Sequence, residues 1–199
     1  DLLDRDSVFR IIRERAGRSL VVVDEAYIEF SGSRSLLEAI GEFDNLVVLR
    51  TLSKAYGLAG ARCGSIIARE PVIRLLGTML PPYAFSSPTI DSVLAALTVD
   101  AVDATRRLIL STIRERERMR LALGKLDAVM HIWPSQSNFL LVRFSDLQRV
   151  AQALLQAKVL IRSFSDDPVL GNCARITVGN PDENNLLLET IRQSVEAGS

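Results

Sequence analysis

The sequence has few of the residues that build disulfide frameworks or zinc sites, and it has no excess of basic side chains. Its 199 residues include two cysteines, Cys63 and Cys173, and a single histidine, His131. Two isolated cysteines are too few for a disulfide framework and fall short of a zinc site. The 24 basic and 24 acidic side chains cancel to a formal net charge of zero. This balance gives no reason to expect nucleic acid or an anionic membrane surface as a partner.

Long apolar segments and nucleotide-binding motifs are also missing. No apolar run approaches the roughly 20 residues that cross a bilayer, and the opening run Asp1-Leu-Leu-Asp-Arg-Asp is not a signal peptide. The chain contains no GxxxxGKS or GxxxxGKT sequence, which argues against a nucleotide P-loop. GxGxxG is absent too, which weakens a dinucleotide-binding interpretation. We therefore expect a cytoplasmic enzyme.

Hydrophobic residues, in contrast, make up 48% of the chain, enough for a sizeable core. Apolar runs predict strands at 19–23, 45–50 and 63–68, and the first of these has no polar alternation, as in a strand covered on both faces. Helical spacing predicts helices at 4–15, 36–40 and 71–76, and two more between 89 and 127.

After Pro134 the pattern changes to strand, helix, strand, strand, helix. The predicted strands are 138–143, 159–162 and 174–178, and the predicted helices are 146–157 and 182–196. The expected fold is therefore α/β, with a mostly parallel sheet covered by helices over residues 1–105. A small α+β domain over 106–199 follows, with the boundary somewhere within about 100–135.

The run TLSKAYGLAGARCG, from Thr51 to Gly64, follows the second predicted strand. Lys54 in this run suits an amine that forms a Schiff base. Ser53 offers a hydroxyl, the glycines allow close backbone approach, and Arg62 supplies a forked cation, which together suit a phosphate group. The alternative is an ordinary surface lysine in a loop.

An acid lies at the end of the preceding apolar strand, in the run VVVDEAY that ends at Tyr27. A lysine and an acid on neighbouring strand ends are what a pyridoxal phosphate enzyme needs, because Asp24 can pair with the protonated ring nitrogen. Tyr27 can place its phenol against the ring hydroxyl. The alternative for Asp24 is a carboxylate that caps the following turn, and Glu25 is interpreted as its structural neighbour.

Polar side chains near the apolar strands of the second half are further candidates. Arg162 and Arg175 are either edge-strand arginines or ligands for a carboxylate or phosphate. Asn138 is either a turn residue or a polar contact in a cleft. His131 is interpreted as a strand-edge or core residue rather than a catalytic base.

The combination resembles the fold-type I pyridoxal phosphate aminotransferases, and among them the histidinol-phosphate aminotransferase family. The resemblance rests on Asp24-Glu-Ala-Tyr27, on Leu52-Ser-Lys-Ala-Tyr-Gly-Leu-Ala-Gly-Ala-Arg-Cys-Gly64 and on three later segments. Those segments are Ser137-Asn-Phe-Leu-Leu-Val-Arg143, Val159-Leu-Ile-Arg162 and Cys173-Ala-Arg-Ile-Thr-Val-Gly179. The similarity spans essentially the whole chain. It implies part of a large cofactor-binding domain followed by a small C-terminal domain.

The resemblance also implies roles. Lys54 would hold pyridoxal 5'-phosphate and act as base and acid. Asp24, Tyr27, Ser53 and Arg62 would bind the cofactor, and the substrate anion would meet a second set of residues, Arg175, Arg162 and Asn138. The implied reaction transfers the amino group of histidinol phosphate to 2-oxoglutarate, in histidine biosynthesis, in a homodimer.

One departure from the family concerns length. Family members are much longer, and this chain resembles their later part, without the glycine-rich phosphate turn and the ring-stacking aromatic residue. We therefore expect the chain alone to be weakly active or inactive. Alternatives on the same scaffold are a threonine-phosphate decarboxylase and an aromatic aminotransferase, and a non-catalytic fragment is a fourth interpretation.

Overall fold

Two separate β-sheets organise the chain, which a computed structural model describes from residue 2 to residue 196. The residues form two compact units, one from Leu2 to Arg107 and one that begins at Leu108. Within the described residues, no helix is both long enough and apolar enough to cross a bilayer.

The first unit contains a three-stranded sheet of β1 (Val21–Asp24), β2 (Leu46–Thr51) and β3 (Gly64–Ala68), in that order. β1 and β2 are parallel, with Asp24 opposite Leu49. β3 runs antiparallel to β2, so the sheet is mixed where a mostly parallel one is predicted. The reason is the connection: residues 52–63 return directly to the sheet edge without the crossover helix that a parallel strand requires.

One face of this sheet carries the core of the first unit. Helix α1 (Arg5–Glu14) is capped by Asp4, whose carboxylate accepts the Ser7 N–H at 2.9 Å, and this hydrogen bond lowers the pKa of Asp4. The buried side chains of α1 pack against those of β2 and of the 3₁₀ turn Leu36–Ala39. The members of this core are Val8, Ile12, Leu36, Ala39, Leu46 and Val48.

We name the opposite face of the first sheet, which carries Val22, Asp24, Leu49 and Ile66, the open face. Val22 is 57% exposed and Ile66 is 48% exposed there. Within the described residues β1 is covered only on the face that meets α1, since side chains alternate between the two faces. Val47 of β2, which the register places on the open face beside Val22, is nonetheless only 2% exposed. Two helices, α2 (Glu70–Gly77) and α3 (Ser87–Ala96), follow β3.

The second unit contains an antiparallel sheet in the order β4-β5-β7-β6. Its strands are β4 (Val129–Ile132), β5 (Phe139–Phe144), β6 (Arg162–Ser163) and β7 (Cys173–Thr177). The helices of the rest of the chain are α4 (Val99–Leu123), α5 (Leu147–Gln156) and α6 (Pro181–Glu196). Alternate residues of β5 and β7 form the core with these helices: Leu140, Val142, Phe144, Ala174 and Ile176.

Most element boundaries fall within two residues of the sequence predictions. The exceptions are the end of α4, at Leu123 rather than near 127, and two short strands. β4 has no counterpart among the predicted strands, and β6 keeps only Arg162 of the predicted strand at 159–162. Val159 and Ile161 pack against the core without joining the sheet. Cys173 is fully buried, whereas Cys63 is only half-buried.

Candidate active site

The carboxyl ends of β1 and β2 lie at the same edge of the first sheet because the two strands are parallel. Asp24 ends β1 on the open face, with an exposed side chain. Its Oδ1 accepts the Ala26 N–H at 2.9 Å. This bond is the turn-capping contact that the sequence offers as the alternative role. It leaves Oδ2 with no hydrogen bond inside the described chain, so one oxygen is available for a ligand.

Lys54 and Tyr27 meet at this edge. Tyr27 immediately precedes the 3₁₀ turn Ile28–Phe30, three residues beyond the end of β1. The Lys54 Nζ atom lies 5.4 Å from the centroid of the Tyr27 ring, within cation–π range. The Lys54 side chain is exposed and makes no hydrogen bond or ion pair with residues 2–196. Its amine is therefore accessible to a carbonyl compound.

The loop that carries Lys54 closes on itself between β2 and β3. The Leu52 N–H donates to the Cys63 carbonyl at 3.2 Å, and the Leu58 N–H donates to the Leu52 carbonyl at 3.0 Å. Gly57 adopts φ +68°, a left-handed conformation that favours glycine. These contacts hold the loop in one shape and fix the position from which Lys54 projects.

The two predicted phosphate ligands, Ser53 and Arg62, lie at opposite ends of this loop. The Thr51 hydroxyl donates to Ser53 Oγ at 2.9 Å, so the Ser53 proton stays available as a donor. Arg62 adopts φ +52°, which is uncommon for a residue with a side chain. One guanidinium nitrogen donates to the Ala59 carbonyl at 3.1 Å, and the other two have no partner among the described residues.

The residue after Asp24 is a buried acid, Glu25, which is not among the residues for which the sequence predicts a function. Glu25 is 5% exposed and accepts hydrogen bonds from Ser35, Leu36 and Arg50. These contacts agree with its interpretation as a structural neighbour of Asp24. The signal in the sequence is Arg50, near the end of a buried strand, because a partly buried cation requires an acidic partner.

The anion-binding candidates lie in the second unit. Arg162 on β6 and Arg175 on β7 are direct cross-strand partners. The Cζ atom of Arg175 lies 5.0 Å from the Phe139 ring centroid, and its Nε atom is buried with no hydrogen-bond partner among the residues that the structure describes. Arg162 stacks in the same way on Phe164, at 5.2 Å. The two guanidinium groups thus share one sheet face.

Asn138 and His131 take positions elsewhere in the same sheet. The Asn138 carbonyl accepts the Val178 N–H at 2.9 Å, just before β5 begins, and no hydrogen bond joins its side chain to Arg162 or Arg175. His131 is an exposed residue of the edge strand β4 and packs edge-on against Trp133, with ring centroids 4.5 Å apart. This is the strand-edge position predicted for it.

Known proteins match both the sequence and the fold of this chain. Residues 2–191 match the profile of the family described as Aminotransferase class I and II. Histidinol-phosphate aminotransferase from Xanthomonas axonopodis pv. citri is 43% identical over 194 residues, which cover 98% of this chain and 53% of that protein. The chain thus spans about half the length of the curated relatives that it matches.

Two solved structures share the fold over nearly the whole chain. L-Threonine-O-3-phosphate decarboxylase from Porphyromonas gingivalis has a TM-score of 0.83 at 26% identity, with 98% of this chain and 60% of that chain covered. Histidinol-phosphate aminotransferase from Sinorhizobium meliloti, in complex with pyridoxal-5'-phosphate, has a TM-score of 0.78 at 23% identity, covering 96% and 54%.

The fold-type I resemblance that the motifs carry is confirmed by these comparisons. The family profile extends over nearly all of the chain and includes both the Asp24–Tyr27 segment and the Lys54 loop. This chain therefore belongs to the class I and II aminotransferase family.

Proposed function

We propose that the protein is a pyridoxal phosphate-dependent aminotransferase that transfers the amino group of histidinol phosphate to 2-oxoglutarate. The observation that carries the proposal is the accessible Lys54 amine, 5.4 Å from the Tyr27 ring and at the same sheet edge as Asp24. The substrate assignment is supported by the 43% identity to a histidinol-phosphate aminotransferase. We also propose that the protein forms the homodimer that the resemblance implies.

The donor and acceptor groups of the first unit fit pyridoxal phosphate in kind and number. The free oxygen of Asp24 suits a protonated ring nitrogen, and the Tyr27 phenol suits the ring oxygen. Ser53 has a hydroxyl proton to donate, and Arg62 has two unused nitrogens, which suit the phosphate. Lys54 would hold the cofactor through its amine.

Bound pyridoxal phosphate supplies an electron sink that acidifies the proton on the amino-bearing carbon of the substrate. The Lys54 amine, once released from the cofactor by the amino group of the substrate, would take up that proton and return it, which requires a basic amine on a side chain that can move. Asp24 would keep the ring nitrogen protonated, because a nearby carboxylate favours the charged form of a titratable nitrogen.

Arg175 and Arg162 would bind the anionic group of the substrate, either the phosphate of histidinol phosphate or the carboxylate of glutamate. The unpartnered Nε of Arg175 supports this role, since a buried guanidinium nitrogen without an acceptor is costly. Asn138 is proposed as an additional polar contact to the substrate.

A labelling experiment tests the cofactor assignment. The 199-residue chain and the longest natural form of the protein are each mixed with pyridoxal phosphate, scanned for visible absorbance, reduced with borohydride and mapped by peptide mass spectrometry. We expect a label on Lys54. A label on Lys125 or Lys158 alone would show that the residue is misassigned, and no label on either form would show that the chain does not bind the cofactor.

A second candidate function is decarboxylation of threonine phosphate, which the similarity to the P. gingivalis decarboxylase favours. Product analysis separates the two. Transamination consumes 2-oxoglutarate and forms glutamate, whereas decarboxylation releases carbon dioxide without a 2-oxo acid. Comparing rates on histidinol phosphate and phenylalanine then separates the proposed enzyme from an aromatic aminotransferase.

A further inference from the structure

Two acidic residues follow each other at the end of β1, and only one of them faces the proposed cofactor. Adjacent strand residues point to opposite faces, so Asp24 lies on the open face while Glu25 turns toward the core. A slip of one residue would exchange the two carboxylates. Something must therefore hold the register at this strand end.

The side chain of Glu25 is held by three donors. Its Oε1 accepts the Leu36 N–H at 2.7 Å, and its Oε2 accepts the Ser35 hydroxyl at 2.6 Å and an Arg50 nitrogen at 3.4 Å. With 5% of the residue exposed, these bonds are made largely out of water. A carboxylate bound in this way cannot rotate to the other face without leaving buried donors unsatisfied.

Arg50 connects Glu25 to the turn that carries Tyr27. Its second terminal nitrogen lies 2.6 Å from Glu29, in the 3₁₀ turn Ile28–Phe30. The Glu25 and Glu29 side chains are 4% and 13% exposed, and that of Arg50 is 25% exposed. One planar guanidinium therefore spans two carboxylates, which a lysine ammonium does not do with the same geometry.

The same arginine belongs to the strand that leads to Lys54. Arg50 is the penultimate residue of β2 and precedes Lys54 by four positions. The backbone continues the connection, because the Glu25 N–H donates to the Leu49 carbonyl at 2.9 Å and the Ile28 N–H to the Glu25 carbonyl at 3.1 Å. The segment with Asp24 and Tyr27 is thus attached to the strand that leads to Lys54, through the Glu25 backbone and through the Arg50 side chain.

We propose that Arg50, Glu25 and Glu29 form a positioning clamp that sets Asp24 and Tyr27 relative to Lys54. The inference rests on the proposed function, since it assigns the clamp to the same site. None of the three residues touches the cofactor in this scheme. They act by fixing which carboxylate of the Asp24–Glu25 pair faces the ring nitrogen and where the phenol lies.

The clamp predicts a spectroscopic effect beyond any loss of stability. A protonated ring nitrogen withdraws electrons and lowers the pKa of the imine that the cofactor forms with Lys54. If Asp24 is no longer held toward the ring, that proton is lost and the pH midpoint of the visible absorbance band rises. A role in stability alone would leave this midpoint unchanged at saturating cofactor.

The test uses Glu25→Gln, Arg50→Lys and Arg50→Met in the longest natural form of the protein. The matched control is Arg74→Met, which removes another arginine–glutamate pair of the first unit, the exposed Arg74–Glu70 pair on α2. We measure the Kd for pyridoxal phosphate, the pH midpoint of the visible band, the thermal midpoint, and hydrogen exchange of residues 24–31 without cofactor.

We expect Glu25→Gln and Arg50→Lys to raise the Kd by roughly tenfold, the effect of losing one charge-assisted hydrogen bond, and to raise the pH midpoint. Residues 24–31 should exchange faster, and Arg74→Met should match the wild type throughout. If Arg50→Met does not fold, the other two variants decide the outcome.

An unchanged Kd and pH midpoint in Glu25→Gln and Arg50→Lys would overturn the clamp, even if the exchange of residues 24–31 rises. Failure of the proposed function looks different. In that case the wild type itself shows no visible band and no label on Lys54.

Discussion

Arg162 and Arg175 lie directly opposite each other on the antiparallel strands β6 and β7, so two like charges occupy neighbouring positions on one sheet face. Like charges placed opposite each other in a sheet cost up to about 1 kcal/mol. The arrangement is explained if an anion binds between or beside them. The buried Nε of Arg175, which has no hydrogen-bond partner within the described part of the chain, supports this interpretation.

The first prediction is that inorganic phosphate raises the thermal midpoint of the wild type and does so far less in Arg175→Ala and Arg162→Ala. The physical reason is that phosphate relieves the repulsion and pairs with both guanidinium groups. Differential scanning fluorimetry in phosphate and in chloride at equal ionic strength measures the effect. Arg120→Ala, which removes an exposed arginine of α4, is the control. An equal phosphate response in all four proteins would contradict the assignment.

For the enzyme, Arg175→Ala should weaken substrate binding while the cofactor stays bound. Loss of a hydrogen-bonded charge is worth about 1.5–3 kcal/mol, which corresponds to a rise in KM of roughly tenfold to a hundredfold. The visible absorbance band should be unchanged, because Arg175 is not among the proposed cofactor ligands. Unchanged KM values for both substrates would remove Arg175 from the site.

Lys54→Ala should abolish the visible band and the borohydride label, because no other described amine lies beside Tyr27. The structure offers Lys125→Ala as a control, since Lys125 is an exposed residue just beyond the end of α4. Absorbance titration with pyridoxal phosphate and peptide mapping measure the two effects. A full visible band in Lys54→Ala would show that another amine holds the cofactor.

Arg62→Gly separates backbone strain from phosphate binding. A left-handed conformation costs a residue with a side chain about 1 kcal/mol or more, and glycine relieves this strain. Glycine also raises the entropy of the unfolded chain, so the two effects oppose each other and the free energy of unfolding should change by less than about 1 kcal/mol. Cofactor affinity should fall at least tenfold, since a charge-assisted contact to phosphate is lost. Lys158→Gly is the matched control, because Lys158 also has a positive φ, of 61°. Equal cofactor affinity in both variants would exclude Arg62 as a phosphate ligand.

Glu115 on α4 should stabilise the second unit in a pH-dependent way. Hydrogen bonds from Arg118, and then from Asn184, lower its pKa from the ordinary value of 4.5. Because the folded pKa is depressed, this stability is complete above pH 4.5 and is lost as the pH falls through the folded pKa. Glu115→Gln should therefore lower the free energy of unfolding at pH 7, and the difference from wild type should shrink in acid.

Urea unfolding at pH 7 and at successively lower pH values measures this difference. Glu117→Gln is the matched control, since Glu117 pairs with Arg120 at the same i,i+3 spacing but is 56% exposed. Such an exposed pair is worth at most about 1 kcal/mol. A loss of stability in Glu117→Gln as large as that in Glu115→Gln would show that burial and Asn184 add nothing.

Long-range pairing decided the elements that local pattern did not predict. The sequence Val-Met-His-Ile of β4 is too short and too irregular to stand out, and its pairing with β5 shifts register between Val129 and His131. The antiparallel direction of β3 depends on the path of the loop after Thr51, which no residue spacing encodes. By contrast, α5 begins and ends within one residue of its prediction because its Asp146 cap and its apolar spacing are local signals.

The sequence by itself determined the chemistry available to this protein: a lysine after one buried strand, an acid and a phenol after another, and arginines on later strands. These depend on residue types and on short-range periodicity, which the sequence records directly. Only the tertiary structure decided that Arg50 holds both Glu25 and Glu29, that Asp24 rather than Glu25 is exposed, and that Arg162 faces Arg175. Those relationships depend on strand register between segments distant along the chain, and register is set by packing of the whole sheet.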